Sequence, residues 1–524
     1  MNNKILGIFL SSAFILSACN SSESLNTTPN VALSWSQGVF ADESIFKSRC
    51  ESPRTGEDIN GNAYSDQAGS KLYEKHWLRS WSNNTYLWYD EIIDSDVALI
   101  DDPVSYFETL KTPVINASGV AQDRFHYAQD TEDYLQLTSG GAGLGYGAFF
   151  KLLKTTPPRE GRIAYIEPNS PAASANLSRG AEIVAIDGVD FVNGDDTAIL
   201  NAGLLPSADG EMHIFTVRDL GQTVTRNVTL QAEVVTNEPV KNAHIINTTS
   251  GKVGYLALNT FATTSAEAAL VDAFTDLAAD IPDDLVIDLR YNRGGYLAIS
   301  AQLGYMIAGP TLSNGKVFEK TVFNDKHPAI DPVTGNSVTY IPFIESTIGF
   351  STTVNQPLPT LNLNRVFILA SGDTCSASES LINGLRGIDV DVVLIGDTTC
   401  GKPYGFYSTD NCGVTYSTIQ FRGENDKDFG NYAAGFSPSN AVSAVGEQVQ
   451  GCQLIENVLH PLGDQQEALL SAALNYRETS LCPIVSAARA EEADAVGDLR
   501  NESRFKRHTL HEQIRLDKLR VIKE

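Results

Sequence analysis

The sequence predicts an α/β core built on a mostly parallel sheet, preceded by a β-rich domain and an N-terminal helical region. Three observations carry this. From about residue 251 to 477, apolar runs such as "LVIDL" and "RVFILA" alternate with amphipathic stretches, the rhythm of strand–helix–strand crossovers. From about residue 132 to 235 the periodicity is that of strands, with one short helix and several glycines. Ahead of both, "KLYEKHWLRSWSNNTYLWYDEI" sets Tyr73, Trp77, Trp81, Tyr86 and Trp88 two to five residues apart. That spacing suits a packed helical cap better than an aromatic carbohydrate-binding stripe.

In chain order, residues 1–19 read as an export signal. Lys4 supplies the positive end, and the apolar run from Ile5 to Leu16 is too short to span a bilayer as a mature helix. Leu16-Ser17-Ala18-Cys19 resembles a bacterial lipobox. The resemblance implies acylation of Cys19 and, with Asn20 following, outer-membrane anchorage facing the periplasm. Residues 20–45 form a Ser/Asn/Thr-rich tether, 46–128 the helical region, 129–237 the β-rich domain, 240–485 the core, and 486–524 a charged tail. Within the core, "KVGYLALNTF" reads as a strand, 265–279 as a helix and "LVIDL" as a buried strand. A helix near 297–307, the strand "RVFILA", a helix at 378–385 and the strand "DVVLIGD" follow.

A chain of 524 residues with 42% hydrophobic and 19% charged residues is long enough for two or three domains around true cores. The net charge of -26 excludes a nucleic-acid partner, which needs a basic footprint. Besides Cys19 there are six cysteines, Cys50, Cys375, Cys400, Cys412, Cys452 and Cys482. An exported chain can keep disulfides, and six cysteines allow 15 pairings. No CxxC or Cys/His spacing suggests a metal site, and no cofactor is expected.

The chemistry centres on "TCSASES", Thr374 to Ser380, at a strand-to-helix junction. Ser376-Ala377-Ser378-Glu379 fits a capping box, so on these residues alone Ser376 reads slightly better as a helix cap than as a nucleophile. No G-x-S-x-G elbow surrounds it. The eight histidines are poorly placed to act as its base. Lys402, in "IGDTTCGKPYG", follows the next strand, so both residues emerge at the same carboxyl-end edge of a parallel sheet. A lysine serves as a base when burial lowers its pKa; otherwise this is a surface lysine in a turn. "DLRYNRGGY", Asp288 to Tyr296, closes another strand with two glycines. Its backbone N–H groups can form an oxyanion hole, or Asp288 and Arg290 can simply pair across a turn.

"DLRYNRGG", "SASE" and "GDTTCGKPYG", in that order, resemble the core motifs of the carboxy-terminal processing (tail-specific) serine proteases. The resemblance covers about residues 132–477. It implies Ser376 as nucleophile, Lys402 as general base, and backbone donors at Gly294, Gly295 and Ala377. "SPAASANLSRGAEIVAIDGVD" resembles the PDZ signature, with Ala181 where that pattern has Asp. "GLGYG", Gly143, Leu144, Gly145, Tyr146 and Gly147, resembles the PDZ loop that binds a terminal carboxylate on backbone N–H groups. The implied function is a Ser-Lys endopeptidase acting on exported polypeptides with free C-termini; the alternative is a catalytically degenerate peptide-binding lipoprotein. A penicillin-recognising enzyme is excluded because no K-[TS]-G exists in the chain. Family members often carry a glutamine four residues after the lysine, where this chain has Phe406. Another group must then orient Lys402, with Gln420 or Thr415 as candidates. A Cys375–Cys400 disulfide would staple the two halves of the site.

Overall fold

The computed structural model describes residues 33–483, apart from 117–118, 339 and 442–444. Cys19, the signal, part of the tether and the tail lie outside the described residues.

The N-terminal region is helical only in part. Helix α1 (Lys71–Thr85) and the short α2 (Pro103–Phe107) are joined by long irregular segments. One turn apart on α1, Trp77 and Trp81 stack at 5.0 Å and fill a buried cluster with Tyr106, Phe107 and Tyr416. The aromatics expected to form a cap thus pack against the core. Cys50 is disulfide-bonded to Cys412, fastening this region at a second point. Strand β1 (Tyr127–Asp130) then pairs with Val414–Ser417, and α3 (Thr131–Gly140) follows.

The β-rich domain begins with β2 (Ala142–Gly145) and β3 (Ala148–Lys154), continues with β4 (Glu160–Ile166), the short α4 (Pro171–Ser174) and β5 (Glu182–Ile186), and adds α5 (Thr197–Leu204), β6 (Met212–Arg218), β7 (Arg226–Gln231) and β8 (Glu233–Thr236). Its main sheet runs β7-β6-β5-β4-β3, while β2 pairs with β8. Strand β3 is therefore an edge strand. Tyr146, Phe150, Ile163, Ile183, Ile186, Leu200 and Phe215 form the core of this domain.

The third unit carries the site. Its sheet comprises β9 (Val240–Thr248), β10 (Gly251–Leu258), β11 (Asp284–Asp288), β12 (Arg365–Ala370), β13 (Asp391–Gly396) and β14 (Gly451–Gln453). Only the β9–β10 pairing is antiparallel. Alternation along the strands dictates two covered faces. Leu256, Leu285, Ile287, Val366, Ile368 and Leu394 pack with α6 (Ser265–Asp280), α7 (Leu297–Ser313) and α8 (Ala377–Gly387). Tyr255, Val286, Phe367, Leu369, Val393 and Ile395 face α9 (Ala468–Thr479) instead. Helix α7 runs past its expected end near residue 307, because a break at Gly309 absorbs Pro310 and lets the segment resume. Cys452–Cys482 links β14 to the residues after α9.

Candidate active site

The carboxyl ends of β11, β12 and β13 deliver three turns to one place. Ser376 closes the turn from β12 into α8 with φ 55° and ψ -120°, a conformation costing about 1–3 kcal/mol for a non-glycine residue. Its neighbours hold it there. The Cys375 N–H and the Ser378 hydroxyl both donate to the Asn292 carbonyl, each at 3.1 Å, and the Ser376 N–H donates to Glu379 Oε2 at 3.2 Å. Asn292, fully buried after β11, also donates from Nδ2 to the Leu258 carbonyl at 3.0 Å. It thereby ties the ends of β10 and β11 to the Ser376 turn.

The two glycines are needed for close approach. A Cβ on Gly294, at φ 103°, would lie 2.6 Å from the Ser376 Cβ, and one on Gly295 would lie 2.1 Å from the Ala262 nitrogen. The three expected oxyanion donors are not equivalent. The Gly294 N–H is taken inside its own turn by Asn292 Oδ1 at 2.9 Å. The N–H groups of Gly295 and Ala377 make no hydrogen bond among the described residues. Of the three expected donors, these two N–H groups are the ones left open.

Lys402 arrives from the loop after β13 and is 2% exposed. Its own N–H donates to Glu379 Oε2 at 2.8 Å, and the Gly401 N–H donates to Oε1 at 2.8 Å. The Thr399 hydroxyl also donates to Oε1. Burial pushes the Glu379 carboxyl above its ordinary range, opposed by these donors. Cys375 and Cys400 form the expected disulfide, their Cα atoms 5.2 Å apart. Of the orienting groups proposed from sequence, the Thr415 hydroxyl bonds that of Thr131 at 3.0 Å and Gln420 Oε1 accepts the Tyr407 N–H at 2.8 Å, while the buried Gln420 Nε2 has no partner among the described residues. The ring centroids of Phe406 and Phe125 lie 4.3 and 5.1 Å from Lys402 Nζ. Sequence reasoning missed Phe125, because nothing local to "RFHY" points at a residue almost three hundred positions away.

The Asp288–Arg290 pair is structural. The buried Arg290 guanidinium bonds Asp288 at 2.8 Å and Glu467 at 2.6 and 2.9 Å, and despite burial these carboxylates keep it firmly charged. Next in the chain, the Tyr291 hydroxyl meets Glu456 and Arg179, the latter from the β-rich domain at 2.7 Å. Lys151, Arg290 and Arg179 outweigh the burial of Glu456 and hold its carboxyl well below the usual range.

The "GLGYG" segment lies where β2 turns into β3. Gly143, Leu144 and Gly145 pair with β8. The Tyr146 and Gly147 carbonyls accept the N–H groups of Ala172 and Glu167. Gly147 has φ 71°, and a Cβ there would strike Ser170 at 2.2 Å. The Tyr146 side chain is buried against Phe215, so that residue offers only its backbone.

Residues 252–410, which include both Ser376 and Lys402, match the model of peptidase family S41. The chain carries an S41 peptidase domain. The chain is also 28% identical over 236 residues to a carboxyl-terminal-processing protease of Picosynechococcus sp., which covers 45% of this chain and 49% of that protein. The chain thus spans about half the length of this curated relative. In structure it is similar to a protein assigned to the S41 proteases from Bacteroides fragilis, with TM-score 0.58 and 22% identity. That match covers 77% of this chain and 97% of the other, and it speaks for the fold alone.

Proposed function

We propose that the protein is a serine endopeptidase of the carboxy-terminal processing type, with Ser376 as nucleophile and Lys402 as general base. One observation carries this reading. The two residues are fastened to a single carboxylate oxygen, Glu379 Oε2, while the N–H groups of Ala377, next to the serine, and of Gly295, next to the glycine packed on it, make no hydrogen bond among the described residues. In the proposed cycle Lys402 Nζ takes the Ser376 Oγ proton as oxygen attacks a peptide carbonyl. The two N–H groups receive the oxyanion, lysinium returns the proton to the leaving amine, and water hydrolyses the acyl-enzyme. Both side chains are buried, which keeps bulk water away from the proposed proton transfer.

The β-rich domain is read as a PDZ domain. Its edge strand β3, next to the "GLGYG" turn, suits addition of a peptide strand whose terminal carboxylate meets backbone N–H groups. Acylation at Cys19 would tether the enzyme to the outer membrane on the periplasmic side, where its polypeptide substrates would be met.

A permanently unfolded polypeptide, offered once with a free C-terminus and once amidated, tests both parts. Cleavage of the free form with slower cleavage of the amidated form is expected. Equal rates would remove the carboxylate-binding role, and no cleavage of either would remove the endopeptidase reading.

A further inference from the structure

Position 406 holds a phenylalanine close to the proposed base, and the structure shows what gathers there. The Phe406 ring centroid lies 4.3 Å from Lys402 Nζ, within the range of a cation–π contact, and the Phe125 centroid lies at 5.1 Å. Phe125 belongs to the N-terminal region, outside the S41 domain. The segment that carries it is fixed at every residue. Asp123 accepts the Tyr86 hydroxyl at 2.7 Å and the Phe125 N–H at 2.8 Å. Arg124 donates to the carbonyls of Cys400 at 3.0 Å and Gly401 at 3.4 Å, the two residues before the lysine. His126 is held between the Phe107 carbonyl and the Thr418 hydroxyl, at 2.8 and 2.9 Å. Tyr127, on β1, meets the Phe406 ring edge-on at 6.0 Å.

We propose that Phe125 and Phe406 are positioning residues that clamp Lys402 between aromatic faces, so that the N-terminal region completes the catalytic site. The inference rests on the Ser-Lys reading and adds to it. Lysine carries no charge before attack and a full one after the Ser376 proton has moved. An aromatic face attracts the ammonium and is nearly indifferent to the amine, so the rings stabilise the charge that develops in the transition state. An uncharged wall does this without holding the resting lysine protonated as strongly as a carboxylate would. The clamp also explains why Arg124 grips the Cys400–Gly401 backbone: the rings act only if the loop bearing Lys402 cannot slide past them.

Other titratable groups surround the lysine: Asp123 and Arg124 on the N-terminal segment, Tyr127 beyond the Phe406 ring, Tyr404 on the lysine's own loop, and Glu379 behind its backbone. Replacing either ring leaves all five in place, so a change in pH dependence reports the ring itself.

The test is the rate of Ser376 labelling by a fluorophosphonate as a function of pH, in the parent, Phe406→Leu, Phe125→Leu and Phe406→Tyr. Loss of a ring removes stabilisation from lysinium alone, so the neutral amine persists to lower pH. In the two leucine variants the acid limb should move down by about half to one pH unit, and the plateau rate should fall about 3- to 10-fold. Phe406→Tyr keeps the aromatic face and should keep the parent's limb, which separates the clamp from mere packing. A limb unmoved in both leucine variants, with labelling intact, would overturn the clamp and leave the Ser-Lys reading standing. No labelling of Ser376 in the parent would overturn that reading and this inference with it.

Discussion

Glu379 Oε2 accepts the N–H of Ser376 at 3.2 Å and the N–H of Lys402 at 2.8 Å, so one oxygen fixes the separation of the proposed nucleophile and base. The carboxylate sits on the first turn of α8, where its charge is also favoured by the helix N-terminus. Because Gly401 and Thr399 bond the other oxygen, the whole loop carrying Lys402 is suspended from this side chain.

Glu379→Ala would leave three buried N–H groups and a hydroxyl without their acceptor. The expected result is a loss of roughly 2–5 kcal/mol of stability and at least a 100-fold fall in peptidase rate. Glu379→Gln, which presents an N–H₂ where two acceptors are needed, should fall between that variant and the parent. Urea unfolding midpoints alongside peptide cleavage rates check both. Parent-like activity in Glu379→Ala would show that the shared oxygen is incidental.

Gly294→Ala places a methyl 2.6 Å from the Ser376 Cβ, in a backbone region that L side chains rarely adopt. The serine turn must shift, and because it is held through Asn292 it cannot shift alone. Activity should drop by more than 100-fold, with about 1–3 kcal/mol of lost stability. Comparing initial rates with thermal unfolding distinguishes this from global unfolding.

The Cys375–Cys400 bridge joins the residue before Ser376 to the residue two before Lys402. Titration of thiols in the denatured, unreduced protein should find none among the six cysteines paired here. Mild reduction, or Cys375→Ala with Cys400→Ala, should cost about 3 kcal/mol of stability and slow cleavage about 10-fold or more. The Cys452–Cys482 bridge, which joins β14 to the residues after α9 and neither Ser376 nor Lys402 to anything, gives the control: its removal should lower stability with less change in rate.

Glu319 lies buried beside Ser380, and burial pushes its carboxyl up to about 7, slightly opposed by the Ser380 hydroxyl. The folded state therefore holds this proton more tightly than the unfolded chain does. Its contribution to stability is complete below the unfolded value near 4.5. It is lost as pH rises towards 7, a change of roughly 3 kcal/mol. Glu319→Gln should gain on the parent between pH 5 and pH 8, read as the difference in urea midpoints at the two pH values. A variant equally destabilised at both would contradict the shift.

Much of this site was legible in the sequence, and for a physical reason. Parallel strands place their following turns at one edge, so three short motifs after three apolar runs had to converge. The same residues fitted two roles at Ser376, and the structure keeps both: it caps α8 and stands at the proposed centre. Three features were not legible. The capture of the Gly294 N–H by Asn292 depends on a side-chain rotamer. The placement of Phe125 depends on how the N-terminal region docks, through β1 and the Trp77–Trp81 cluster. The burial of Tyr146 depends on the core of the β-rich domain. Local periodicity signals the existence of elements, but it carries no information about which distant loops will touch.

The Ser376–Lys402 dyad stands or falls on the rate at which an unfolded polypeptide is cleaved by the parent, Ser376→Ala and Lys402→Ala. A working dyad predicts a loss of at least about 1,000-fold in each variant, with their disulfides and unfolding midpoints close to those of the parent. Cleavage at the parent's rate by either variant would contradict it.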